Sequence, residues 1–140
     1  MLVDKNKLHH LLAKLPQIKL AYLIGSYASG YQRQDSDVDI VLIGEEKSLN
    51  QLDYGKLYLQ IHQCVNHPNL DLRLVLPSQT DPLFLFEIIN KGKLLYERNK
   101  GDRVNFEVKS MKYYYDTQYL RQIFNLALEK SFKQKTYGHR

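Results

Sequence analysis

Gly25 and Ser26 are followed, after ten residues, by Asp37-Val38-Asp39. A glycine at the end of an apolar run lets the backbone turn sharply and come close to a ligand. The N–H groups opening the next helical turn then point at whatever anion sits above the strand end. Ser26 adds a hydroxyl donor. Side chains alternate along a strand, so Asp37 and Asp39 share one face while Val38 and Ile40 take the other. Two carboxylates at the mouth of a strand suit Mg²⁺, a hard cation that completes its octahedron with waters and phosphate oxygens. The chemistry these residues could do together is to hold a nucleoside triphosphate over a metal ion. Asp, Ser and Gly also dominate ordinary turns, but a turn does not account for the apolar run Ile40-Val41-Leu42-Ile43 that follows Asp39 directly.

Moving a nucleotidyl group requires the attacking hydroxyl to lose its proton and the phosphate charge to be neutralised, which calls for a third carboxylate. Leu70 to Leu76 supplies one: Asp71, Arg73 and Val75 alternate with Leu72, Leu74 and Leu76, as in a strand beside the Asp-x-Asp strand. Asp71 is then a third metal ligand or the general base, or else a strand-edge residue paired with Arg73. Arg73 would steer a phosphate or neutralise the carboxylates.

The elements that must position these groups follow from periodicity. Ile18–Ile24 reads as a buried strand ending at Gly25, with a short helix from Ser26 and a second reversal at Gly30. Asp37–Ile43 reads as its neighbour. Leu8, Leu11, Leu12 and Leu15 form a helical stripe that stops before Pro16. Tyr54, Leu57, Tyr58, Ile61, Cys64 and Val65 form a second, ended by Asn66-His67-Pro68-Asn69. Asp81-Pro82 is a cap and first-turn pair for a short apolar helix closed by Gly92, and 93–98 reads as an edge strand or extended arm. From Gly101 onward Val104, Val108, Met111 and Tyr115 make a helical stripe that Leu120, Ile123, Phe124, Ala127 and Leu128 continue. Tyr113, Tyr114, Tyr115 and Tyr119 suit a partner interface or helix packing equally well.

The 140 residues carry a formal net charge of +5, 44% hydrophobic residues and one cysteine. That length supports one substantial core in a single domain, residues 1–140, without the separate subdomains that grip a nucleic-acid duplex. The basic residues are dispersed, with their densest cluster in Lys130, Lys133, Lys135 and Arg140; from about 130 onward the chain reads as a solvated, mobile tail. No basic stripe runs beside the tyrosines, so direct nucleic-acid binding is not expected. His9-His10 are adjacent and His62 and His67 are five apart, so neither pair is spaced as zinc ligands on a helix. Cys64 reads as a buried thiol. With no apolar run of membrane-spanning length and no signal-peptide core, a cytoplasmic protein is expected.

Gly25-Ser26, the Ser36-Asp37-Val38-Asp39 box, the Asp71-Leu72 strand and Phe86–Arg98 together resemble the minimal nucleotidyltransferases of the MntA type. These are small polymerase-β-like domains encoded beside toxins of the HEPN class, and the resemblance covers most of the chain. It implies an α/β (α+β) fold: a small mixed sheet flanked by helices, with a C-terminal helical segment. It also implies a Mg²⁺-dependent protein adenylyltransferase, the antitoxin of a type VII-like pair, that moves AMP from ATP to a tyrosine of a HEPN ribonuclease held in a hetero-oligomer. By position, Gly25 and Ser26 match the family's phosphate-holding pair, Asp37 and Asp39 its metal ligands, and Asp71 its third acidic residue. Two alternatives stand beside that reading. One is a small-molecule nucleotidyltransferase of the antibiotic type; the other is a non-catalytic antitoxin that neutralises its toxin by occlusion. The chain departs from the pattern at Ala28-Ser29-Gly30, where many relatives carry an arginine; Arg33 is the candidate to replace that contact.

Overall fold

The computed structural model describes residues 2–33 and 35–138, the last five of these by backbone alone. Helix α1 (Lys5–Ala13) opens at Asp4, whose carboxylate accepts the Lys7 N–H. Strand β1 (Ile18–Ile24) runs to Gly25 and the single turn of α2 (Ser26–Ser29). Strand β2 (Val38–Gly44) follows, then the short α3 (Glu46–Leu49) and α4 (Tyr54–His62). Strand β3 (Leu70–Val75) leads through a 3-10 turn at Pro77–Gln79 into α5 (Pro82–Lys91). Strand β4 (Lys93–Glu97) and the 39-residue α6 (Lys100–Gly138) complete the order.

The four strands form one mixed sheet in the order β3-β2-β1-β4. β1 is antiparallel to both β2 and β4, and β2 is parallel to β3. A parallel pair needs a crossover, and α3 with α4 provides it. Each sheet face is apolar because strand side chains alternate. One face presents Ala21, Leu23, Ile40, Leu42 and Leu72 to Leu8 and Leu12 of α1 and to Leu57 and Ile61 of α4. The other presents Leu20, Tyr22, Val41, Ile43 and Val75 to Leu85 and Ile88 of α5 and to Phe106 of α6. Each fully buried leucine or isoleucine contributes about 2 kcal/mol relative to exposure.

Three sequence-level expectations are modified. β2 begins at Val38, so Asp37 stands one residue before the ladder. α4 ends at His62, which leaves the buried Cys64 in the turn beyond it and Val65 in an isolated bridge to Val3. The stripe Val104, Val108, Met111 and Tyr115 does not face the sheet: all four are exposed, and the inward residues are Phe106 and Ser110, 7% and 3% exposed. A regular period fixes which residues share a face, and tertiary contacts decide which face is covered. The helix runs through the segment read as a mobile tail as far as Gly138, while the Lys135 side chain and Arg140 lie outside the described residues.

Two polar devices fix the scaffold. Arg98, just past β4, donates from Nη2 to the carbonyls of Leu12 and Leu15 at 3.0 and 2.9 Å and from Nε to Ile18 at 3.2 Å, capping the C-terminal end of α1. On the outer edge of β3, the hydroxyls of Tyr54 and Tyr58 donate to the carbonyls of Leu72 and Leu70 at 2.5 and 2.8 Å. Those tyrosines cover an edge strand that would otherwise present unpaired carbonyls.

Candidate active site

Strand pairing brings the candidate residues together at one end of the sheet. Ile24, the last residue of β1, pairs with Asp39, and Asp39 pairs across the parallel ladder with Asp71. Val38 N–H donates to the Asn69 carbonyl at 3.1 Å, which extends the β2–β3 contact to the mouth of the sheet. Asp39 and Asp71 therefore occupy neighbouring positions on the face that carries Val41 and Val75.

The two residues are direct partners across the parallel ladder, with both side chains on one face. The Asp39 carboxyl titrates above the ordinary aspartate range, first because it is partly buried, then because it is hydrogen-bonded to Asp71 and repelled by its charge. Asp37 adds repulsion and Arg73 opposes it. A guanidinium nitrogen of Arg73 lies 3.3 Å from the Asp71 carboxylate, and the guanidinium sits 5.9 Å from the Phe84 ring centroid.

Gly25 is tied to this pair directly. It has φ +75°, in the left-handed region, and a Cβ built there would collide with the Asp39 carboxylate. The sequence explains this glycine by close approach of a ligand, and the structure adds that the approaching group is Asp39. Ser26 opens α2, where the first N–H groups of a helix have no intrahelical acceptor. Ser29, which the motif reading passed over, donates its hydroxyl to the carbonyls of Gly25 and Ser26 at 3.2 and 3.4 Å and fastens the turn. Ser36 accepts the Arg33 N–H on its hydroxyl at 2.8 Å and returns its own N–H to the Arg33 carbonyl, closing the loop that delivers Asp37. The serine immediately before Asp37 was the sequence signal for that closure.

Asp37 is exposed and held by no strand pairing of its own. Among the described residues no group of three His, Cys, Asp or Glu side chains is placed to hold a metal ion as it stands. The donor set nevertheless fits a divalent cation. Two carboxylates that repel each other gain from a dication between them, and Mg²⁺ needs only one or two protein carboxylates beside substrate phosphates. A cavity of about 310 Å³ opens elsewhere, lined by Leu20, Ile43, Leu76, Phe106 and Ser110 among others. It shares no residue with the carboxylate site, and Ile43 is four residues along β2 from Asp39, on the order of 13 Å.

A sheet that ends in a Gly-Ser turn beside facing aspartates defines the nucleotidyltransferase class. Residues 6–101 match the family described as polymerase beta, nucleotidyltransferase, and the chain belongs to it. Members of this class generally work with a nucleoside triphosphate and a divalent metal. Among curated proteins, the chain is similar to the protein adenylyltransferase MntA of Shewanella oneidensis, 27% identical over 121 residues, which is 86% of this chain and 84% of that protein. It is also similar to a chain from a crystal structure of a toxin–antitoxin with AMP-PNP. The TM-score there is 0.65 and the identity 26%, covering 91% of this chain and 99% of that one. A structure of tri-AMPylated S. oneidensis HEPN toxin in complex with MNT antitoxin shares the fold, with a TM-score of 0.61 at 23% identity, covering 90% of this chain and 96% of that one.

Proposed function

We propose that this chain is a Mg²⁺-dependent protein adenylyltransferase and the antitoxin of a HEPN-type ribonuclease, to which it transfers AMP from ATP. The observation that carries the reading is the Asp39–Asp71 pair, seated against the Gly25 turn at the end of the sheet. The likeness to MntA over most of both chains supports a protein acceptor. A tyrosine of the toxin, a cytoplasmic location and a hetero-oligomer complete the proposal. Among the described residues no helix is long and apolar enough to cross a membrane.

In this reading the N–H groups of the turn after Gly25, with the Ser26 hydroxyl, hold the β and γ phosphates of ATP. Asp37, Asp39 and Asp71 are the residues that would hold the cation, which when bound neutralises phosphate charge and polarises the α phosphorus. Asp71 receives the proton of the acceptor tyrosine as its oxygen attacks the α phosphorus in line. The new O–P bond forms as the bond from the α phosphorus to the bridging oxygen breaks, and pyrophosphate leaves. Gly25 keeps the Asp39 carboxylate against the phosphate turn.

The test is catalytic stoichiometry. A substoichiometric amount of this protein with ATP and Mg²⁺ should inactivate an excess of the toxin, and the toxin should stay inactive after separation. Inhibition that needs one molecule per toxin, requires no ATP and reverses on separation would replace transfer by occlusion.

A further inference from the structure

The order of the strands sets the direction of the chemistry. Across the open end of the sheet, Gly25 and Ser26 follow β1, Asp39 sits on β2 and Asp71 on β3, the edge strand. Neighbouring strands lie about 4.8 Å apart, so the phosphate turn and the two facing carboxylates stand in one row. In-line displacement puts the attacking and leaving oxygens on opposite sides of the α phosphorus. With the β and γ phosphates on the Ser26 turn, pyrophosphate leaves toward β1, and the attacking hydroxyl has to come from the β3 side.

On that side stands Arg73, two residues beyond Asp71, so both side chains leave the same face of β3. The guanidinium is held at two points. Its Nη2 donates to Asp71 Oδ2 at 3.3 Å, and its central carbon lies 5.9 Å from the centroid of the Phe84 ring, in the first turn of α5. That second distance is within the reach of a cation–π contact. The Arg73 side chain nevertheless remains 57% exposed. One side of the guanidinium is thus turned to Phe84 and another is open, with the Asp71 carboxylate at its rim.

Two other duties are open to this arginine, and both fit the geometry less well. A countercharge for the carboxylates needs no aromatic backing, and a lysine would serve. A clamp on the β and γ phosphates belongs beside Ser26, whereas β2 stands between Arg73 and that turn. A flat cation next to a proton acceptor suits an aromatic ring that carries a hydroxyl. A tyrosine laid on the guanidinium is attracted through its ring quadrupole, and the planar group stacks on it as an ammonium does not. A serine or threonine hydroxyl gains nothing from such a surface.

We propose that Arg73 selects the acceptor: its guanidinium, backed by Phe84, receives the ring of the tyrosine to be modified and sets the phenolic hydroxyl at Asp71. This rests on the reading of the chain as a protein adenylyltransferase with a tyrosine acceptor. It adds the side from which that tyrosine enters and the residue that holds it. The phenolic oxygen bonds to the α phosphorus as the bond to the bridging oxygen breaks. Its proton passes to Asp71, and pyrophosphate leaves on the Ser26 side.

The test compares Arg73→Lys with Arg73→Met in the full chain, with the HEPN-family protein encoded beside it as the acceptor. Lysine keeps the charge and loses the plane, while methionine loses both. Single-turnover transfer is measured with the acceptor saturated by enzyme and MgATP, beside MgATP affinity and melting temperature. The rate should fall roughly tenfold in Arg73→Lys, the worth of one cation–π contact, and at least as far in Arg73→Met. Arg73→Lys should bind MgATP and melt as wild type does. A wild-type rate in Arg73→Lys would reduce Arg73 to a countercharge and overturn the proposal. MgATP affinity that falls in step with rate in both variants would make Arg73 a phosphate ligand and overturn it as well. Either result leaves the adenylyltransferase reading standing. A wild-type chain that transfers nothing to the HEPN protein would overturn that reading, and the acceptor site with it.

Discussion

At the scale of single residues, the site stores electrostatic repulsion that a bound cation relieves. The folded protein holds the Asp39 proton to a higher pH than the unfolded chain, which releases it near the ordinary aspartate pKa of about 3.9. The associated stability is present at low pH and is lost as pH rises from that value through the raised one. Metal-free Asp39→Asn should therefore melt at or above wild type at pH 7 to 8, with the difference vanishing toward pH 4, while wild type alone gains melting temperature on adding Mg²⁺. Melting curves across pH, with and without Mg²⁺, check both signs; a variant that melts well below wild type at pH 8 would mean the pair is a net attraction. Asp71→Asn separates two roles. As the general base it should bind MgATP within a few fold of wild type and lose roughly a hundredfold or more in transfer rate. As a metal ligand chiefly, it should lose affinity along with rate. A lowered melting temperature with near-normal turnover would reduce Asp71 to a partner of Arg73. Gly25→Ala sets a side chain at φ +75° and against the Asp39 carboxylate, so it should cost about 1 to 3 kcal/mol and remove most transfer from the folded fraction; retained activity would show that the turn tolerates displacement of that carboxylate.

At the scale of elements, the strands that carry the carboxylates are fixed by contacts far from the chemistry. Arg98 closes three carbonyls at the end of α1 and the start of β1 with a charged donor. Arg98→Met should cost about 3 kcal/mol by leaving those acceptors unmet, with MgATP affinity of the folded fraction unchanged. Denaturant unfolding and nucleotide titration read the two effects separately, and a loss under 0.5 kcal/mol would show that water satisfies the carbonyls equally well. Much of this scaffold is legible in the sequence, because alternation around Asp39 and Asp71 and the cap pair Asp81-Pro82 are local signals. Arg98 was not legible as a cap, since its acceptors lie 80 to 86 residues earlier. Nor was the outward turn of the Val104–Tyr115 stripe. Helical spacing groups those residues on one face, but the choice of Phe106 and Ser110 for the inward side depends on Tyr22 and the sheet end they meet. The contact of Gly25 with Asp39 was hidden for the same reason: the motif places both near one ligand without saying that they touch.

At the scale of the molecule, one sheet with two covered faces leaves a carboxylate-lined end open and sends a long helix away from the body. That arrangement suits an enzyme whose acceptor is another protein, the reading proposed above. The central claim is that Asp37, Asp39 and Asp71 work with Mg²⁺ to move AMP from ATP onto the HEPN protein. The most direct measurement is the intact mass of that protein after incubation with a substoichiometric amount of this chain, ATP and Mg²⁺, run beside Asp37→Asn and Asp39→Asn. The account predicts the mass of one or more adenylyl groups, located on tyrosine by peptide mapping and produced many times over per molecule of wild-type enzyme. It predicts no added mass with either variant or with Mg²⁺ chelated. Wild-type incorporation by both variants, or an unmodified HEPN protein in the presence of active, ATP-bound wild type, would contradict it.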